Sequence, residues 1–196
     1  MIRREITVLS VKGFSRIQPK NMTILEQRTA NELPYLTKAL FGTQRLLDIG
    51  CGPAFTTILL AVELQLQMLY LMDGNEGERN VGYRTGMKPW YGIGSATKNA
   101  IAAQIPFEIV KPDSTLTFAV DAIVSLLSWG HHYPVSTYID LAKRSLKAGD
   151  IMILDLRRGR GGLEEMITHG FVDHGVLYEK PKFERHIFRK CISNGK

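Results

Sequence analysis

Cysteine is scarce: the 196 residues hold two, Cys51 and Cys191, far apart in the chain. That excludes a disulfide framework and a cysteine-built zinc site, and it points to a reducing, cytoplasmic compartment. His169, His174 and His186 lack metal-ligand spacing with an acid or cysteine, so no metal is expected. No apolar run has the length needed to cross a bilayer, so no membrane partner is expected. The start, Met1-Ile2-Arg3-Arg4-Glu5, has arginines but no apolar stretch behind them, which does not read as a secretory signal. Internal repeats and low-complexity tracts are missing. So is a third glycine in the chain's most telling turn.

What is present is an ordinary globular composition. Hydrophobic residues make up 44 % of the chain, enough for a core, and the length suits one domain. The net charge of +6 permits a nucleic-acid partner. There is no long basic block. The densest cluster is Arg157-Arg158-Gly159-Arg160, and a looser one spans Lys180, Lys182, Arg185, Arg189 and Lys190. Both read first as solvated surface.

Residues 1–12 alternate weakly and suggest an edge strand or arm. Leu25, Leu33, Leu36 and Leu40 recur at helical spacing, with Asn21 as a cap and Gly42 as a stop; Pro34 divides the run into two short helices. Strands are then expected at 45–49, 67–72, 107–110, 119–127 and 151–156. Helices are expected at 56–65, 96–104 (capped by Ser95), 136–146 (capped by Ser136) and 162–169. Strand 119–127 is continuously apolar and should be buried on both faces. Gly149-Asp150 should be a turn. Two last strands, 171–178 and 184–191, form a hairpin near Pro181. Residues 74–94 carry many glycines and read as a loop.

Alternating strands and helices imply a mostly parallel sheet with helices on both faces. Its ligands bind beyond the carboxyl ends of the strands, where strand order reverses. Asp48, Asp73, Asp113, Ser128–His132 and Asp155-Leu156-Arg157 all fall at such ends.

In Leu46-Leu47-Asp48-Ile49-Gly50-Cys51-Gly52-Pro53-Ala54-Phe55 an apolar strand leads through two glycines into a helix. Glycine lets a ligand approach bare backbone. A dinucleotide fingerprint would place a third glycine where Phe55 stands. Asp48, two residues ahead of Gly50, would repel a pyrophosphate. It would attract a ligand with an ammonium and a sulfonium, such as S-adenosylmethionine (SAM). The segment resembles the Asp-x-Gly-x-Gly motif of the class I SAM-dependent methyltransferases. Ala54 stands where that family often has a further glycine.

The resemblance covers residues 43–191 and implies an α/β, Rossmann-like three-layer sandwich. Its sheet would be seven-stranded and mostly parallel, with an antiparallel last strand. Residues 43–196 would be the SAM-binding core and 1–42 a helical segment capping the site. Asp48, Gly50, Cys51 and Gly52 would hold the methionine end, and Asp73-Gly74 the ribose. A carboxylate suits a vicinal diol because it accepts two hydrogen bonds. Asp113 would take the adenine amine, and Leu126 would line the cofactor.

In enzymes that methylate base amines in DNA, Asn/Asp-Pro-Pro-Tyr stands at the fourth strand. Here Leu126-Leu127-Ser128-Trp129 stands there without a side-chain amide, which disfavours that reaction. The lysine–aspartate–lysine–glutamate set for ribose methylation is also lacking. His131 and His132 remain as candidate bases, since an imidazole can take a proton near neutral pH. On an extended segment adjacent side chains point apart, so one of the two at most would act. Trp129 would face the substrate, wall off the adenine or pack in the core. Arg157–Arg160 could grip an anionic acceptor, and the 75–94 loop could act as a lid.

The expected activity is methyl transfer from SAM to an oxygen or nitrogen of a small molecule, releasing S-adenosylhomocysteine. RNA methylation and a non-catalytic SAM-binding subunit are the alternatives. Oligomeric state stays open.

Overall fold

The computed structural model describes residues 19–74, 83, 93–112 and 119–191. The arm expected over residues 1–12, most of the 75–94 loop and Asp113 lie outside the described residues.

The elements run α1 (Pro19–Ala39), β1 (Arg45–Ile49), α2 (Phe55–Leu64), β2 (Met68–Met72), α3 (Ile93–Ala102), β3 (Phe107–Val110) and β4 (Val120–Ser125). A 3₁₀ turn (Val135–Thr137), α4 (Ile139–Ser145), β5 (Leu146–Arg157), α5 (Gly162–Thr168), β6 (Phe171–Lys180) and β7 (Phe183–Lys190) complete them. The seven strands form one sheet in the order β3-β2-β1-β4-β5-β7-β6. β1 to β5 are parallel; β7 is antiparallel to β5 and to β6. This is the Rossmann-like sandwich expected, with its antiparallel strand closed by the hairpin. Strand order reverses between β1 and β4, so the crevice for ligands lies at their carboxyl ends.

Alternation along each strand sorts the two faces. Leu46, Leu69, Leu71, Val124 and Ile153 pack with Leu36 and Leu40 of α1, Ile58 of α2 and Ala96 of α3. Leu47, Ile49, Ile123, Met152 and Leu154 pack on the other face with α4, α5 and Trp129. By this parity Asp48 and Asp155 point to the face that carries α1.

Several boundaries differ from the sequence reading. α1 is one helix through Pro34, not two, and Asn21 lies within it. Pro34 is exposed, while Glu32 and Leu36 on the opposite side are buried. The hydrogen bond lost to proline therefore falls on the solvent side, where a helix tolerates curvature. α3 begins at Ile93, so Ser95 is not its cap. Ser136 caps nothing; Tyr138 is the residue before α4, which is shorter than expected. β4 is buried on both faces except at Asp121, which is exposed and accepts the Gln44 and Arg45 N–H groups at 2.9 and 2.8 Å. Gly149-Asp150 is not a turn before a strand but a bulge inside β5, where the register with β4 shifts between Val120 and Ala122. β6, on the outer edge, breaks register with β7 twice, between Asp173 and Val176 and between Val176 and Tyr178.

Candidate functional site

β1 delivers the chain into the turn at residues 50–54. Gly50 and Gly52 have positive φ, 72° and 53°. The Gly50 and Cys51 N–H groups donate to Met72 O at 2.7 and 3.0 Å, and Ala54 N–H donates to Cys51 O at 2.8 Å. Gly52 N–H donates to Asp73 Oδ2 at 2.6 Å. Pro53 has no N–H. The turn therefore holds out no backbone donor to a phosphate, although its glycines leave the backbone bare. Asn99 of α3 pins the turn by donating to Pro53 O at 2.8 Å, a contact the sequence does not signal.

Gly50 is required twice over. An L side chain is strained at its φ, and a Cβ there would fall on the Ser128 side chain. Gly50→Ala is expected to destabilise the fold by roughly 2–4 kcal/mol, from left-handed strain and overpacking together. Adding Ser128→Gly should return only the packing part. Urea unfolding of the single and double variants checks this; no recovery in the double variant would refute the contact.

Ala54 also has positive φ, 56° with ψ 25°, at the residue before α2. That conformation explains why glycine is common at the matching position of the resembled family. Ala54→Gly is expected to raise stability by up to about 1 kcal/mol, and an unfolding curve reads it directly.

Asp48 is buried, and Thr57 Oγ1 donates to its Oδ2 at 2.6 Å. Burial pushes its carboxyl up from 3.8 to about 7, against the Thr57 hydrogen bond that pulls it down. Between these values the folded state binds the extra proton. Stability therefore falls as pH rises from about 4 to about 7, by at most ~1.4 kcal/mol per unit. Asp48→Asn is expected to flatten that slope in unfolding measured at pH 5 and pH 8; an unchanged slope would contradict it.

Asp73 follows β2. Its Oδ1 accepts Gly74 N–H at 2.8 Å while its Oδ2 holds Gly52, so one carboxylate ties β2 to the turn. Burial raises its pKa. A carboxylate has roughly four lone-pair sites, so two remain for a ligand's donors. Cys51 is buried between these acids, and burial first, then Asp48 and Asp73, push its thiol up. Its small side chain fits inside the turn, where these causes disfavour the thiolate.

The crevice's other wall is the segment after β4. Ser125 Oγ donates to Ile49 O at 2.7 Å and accepts Trp129 N–H at 2.8 Å, locking β4 to β1. Leu126 is half-buried and packs toward the α1 face. Leu127 has φ 60°, rare for leucine, and donates its N–H to Asp155 Oδ2 at 2.9 Å. Trp129 is wholly buried and donates Nε1–H to Val135 O at 2.8 Å, so it is core rather than a substrate or adenine wall. The histidines are not on an extended segment. The N–H groups of His131, His132 and Tyr133 converge on Ser128 O at 3.1, 2.7 and 3.3 Å. This tight turn brings the two rings edge-on, 4.7 Å apart, instead of splaying them. His131 is buried against Phe183, 5.4 Å between centroids; His132 is half-buried and its carbonyl accepts Tyr83 N–H at 2.8 Å.

The basic cluster is partly neutralised. Arg158 pairs with Glu179 and Glu184 at 2.8 and 3.0 Å, and Arg160 lies over the Tyr83 ring, 4.9 Å from its centroid.

The sequence reading missed a buried charge network. Arg185, fully buried on β7, forks onto Asp155 at 2.5 and 2.8 Å and donates to Tyr35 Oη at 2.6 Å. It also pairs with Glu32 at 3.0 Å. Burial pushes the Tyr35 hydroxyl up to about 12. Arg185 looked like one member of a surface cluster. An arginine facing the apolar side of a strand was the available signal.

The structure thus gathers Asp48, Gly50, Cys51, Gly52, Asp73 and Gly74 at adjoining ends of β1 and β2; Leu126 follows β4 directly, and His131 and His132 stand on the turn beyond it, beside Phe183. Among the described residues no cluster could hold a metal ion, and no helix is long and apolar enough to cross a membrane.

No protein-family model and no curated protein matches the sequence. Solved structures do match. A methyltransferase from Pyrococcus furiosus aligns over 94 % of this chain and 96 % of its own, at 17 % identity and a TM-score of 0.62. A putative class I SAM-dependent methyltransferase from Listeria monocytogenes aligns over 96 % of this chain and 67 % of its own, at 15 % identity and a TM-score of 0.61. A putative tRNA (m1A22) methyltransferase from Streptococcus pneumoniae, solved with SAM, aligns over 85 % and 75 %, at 18 % identity and a TM-score of 0.59. The chain has the fold these proteins share.

Proposed function

We propose that this chain is a SAM-dependent methyltransferase acting on an oxygen or nitrogen of a small-molecule acceptor. The observation that carries the reading is the turn at residues 50–54. Its N–H groups are all spent within the protein, and buried Asp48 and half-buried Asp73 flank it. Such a turn offers a phosphate no backbone donor, and it leaves bare glycine backbone and carboxylate oxygens to a ligand that brings its own N–H and O–H donors. The residues fit the cofactor. Asp48 and the Gly50–Gly52 backbone would hold its methionine end, Asp73 with Gly74 its ribose, and Leu126 would line it. Bound there, SAM supplies a methyl group on a sulfonium.

The chain's own residues do the rest. The β1 and β4 ends align the reactants, which alone removes much of the barrier to methyl transfer. His132, less buried than His131, takes the acceptor's proton at a ring nitrogen as the acceptor attacks. His131 packs between Phe183 and His132 and sets the ring's orientation.

Calorimetry against SAM, S-adenosylhomocysteine and nicotinamide or flavin dinucleotides tests the site. Tight dinucleotide binding with indifference to SAM would overturn the reading. Labelled-methyl SAM with fractionated cell extract then shows whether label enters small molecules. Label in RNA, with salt-sensitive binding, would favour the basic rim at Arg157, Arg160, Lys180 and Lys182 as an RNA track. The Arg158 ion pairs, which reduce that charge, weigh against it. SAM binding without any transfer would mark a regulatory subunit.

A further inference from the structure

We infer that Arg28 of α1, held by Glu32, forms the subsite for the cofactor's amino-acid end, with Arg28 pairing to the carboxylate and Glu32 accepting from the ammonium. The inference rests on the proposed use of SAM, whose zwitterion needs one partner of each sign.

Three contacts place the pair over the crevice. Thr29, the residue after Arg28, lies 3.2 Å by its hydroxyl from Thr56 in the first turn of α2. Glu32, one turn on, meets Arg185 at 3.0 Å, and Arg185 holds Asp155 at the end of β5. Arg28 and Glu32 therefore lie on the stretch of α1 between the glycine turn and the β5 end. Strand parity turns Asp48 and Asp155 to that same face, and Arg28 acts electrostatically on both.

The pair is also prepared for a ligand. Arg28 commits Nε to Glu32 Oε1 at 2.9 Å, and its Nη nitrogens make no hydrogen bond among the described residues. A guanidinium held by Nε presents its Nη groups in a fixed orientation, which suits a carboxylate. The Arg28 side chain keeps 30 % of its surface accessible. Glu32 is buried; its Oε1 receives both arginines, and its Oε2 has no hydrogen-bond partner. An orphaned buried carboxylate oxygen is costly, and an incoming N–H group would satisfy it.

The test compares two adenosyl thioethers by calorimetry: S-adenosylhomocysteine, and 5′-methylthioadenosine, which lacks the amino-acid end. Arg28→Gln is expected to weaken S-adenosylhomocysteine on the order of 10–100-fold, the worth of a charge-assisted hydrogen bond, and to leave methylthioadenosine unchanged. Arg28→Lys should recover part of the loss. Equal weakening of both ligands would mean a structural role and overturn the inference, as would no weakening of either. If wild-type protein binds methylthioadenosine and S-adenosylhomocysteine equally well, the amino-acid end has no subsite: the inference fails, and with it the methionine-end role given to Asp48 and the glycine turn, while adenosyl binding through Asp73 stands. If wild-type protein binds neither, the cofactor reading itself fails.

Discussion

Replacing Arg185 with methionine is expected to cost about 3–5 kcal/mol of folding stability at pH 7. Methionine fills a similar volume, so the loss comes from charge. Asp155 would keep only the Leu127 N–H, and Glu32 only Arg28, at positions closed to solvent. Burial already raises the Asp155 carboxyl, with Arg185 as its main counterweight. Without that counterweight the variant's carboxylates take up protons at a higher pH than in the wild type. The gap between variant and wild type should therefore narrow as pH falls from 7 to 5. Urea unfolding at both pH values measures it. A gap below 1 kcal/mol, or one that does not move with pH, would show that packing and not electrostatics makes this cluster matter.

His132→Ala is expected to lower kcat by roughly 10²–10⁴ on the proposed reading, with SAM affinity changed less than a few-fold. His132 is half-buried on the turn beyond β4 and is none of the residues proposed to hold the cofactor, so its removal should spare those contacts. His131→Asn is the comparison. His131 packs on Phe183, so its loss should reduce thermal stability as well as turnover. Unchanged kcat in His132→Ala would remove the general base and leave proximity to explain the rate.

What the sequence disclosed and what it hid divide by range. The placement of Asp48, Gly50, Gly52 and Asp73 at the ends of β1 and β2 was legible because each ends or follows a short apolar run, and a strand–turn–helix pattern is local. The sheet's parallel core and closing hairpin followed from the same periodicity. Pro34 misled because a local rule for proline does not know which side of the helix meets solvent. Trp129 stayed open because nothing nearby in sequence announces that its indole donates to Val135. The Arg185 network joins residues from α1, β5 and β7, and no local pattern links Glu32 to Arg185. Its charges are invisible as a set until the strands pair. The histidine turn was misjudged for a related reason: Ser128 O gathers three successive N–H groups, which an extended reading cannot foresee.

The twice-broken register of β6 bears on how this protein behaves when crowded. An outer strand with an unbroken row of unpaired N–H and C=O groups invites a neighbouring molecule to extend the sheet. Here exposed Val172 and Val176 would otherwise favour such stacking. The slips between Asp173 and Val176 and between Val176 and Tyr178 interrupt that row, which makes the border a poorer template for fibrillar growth.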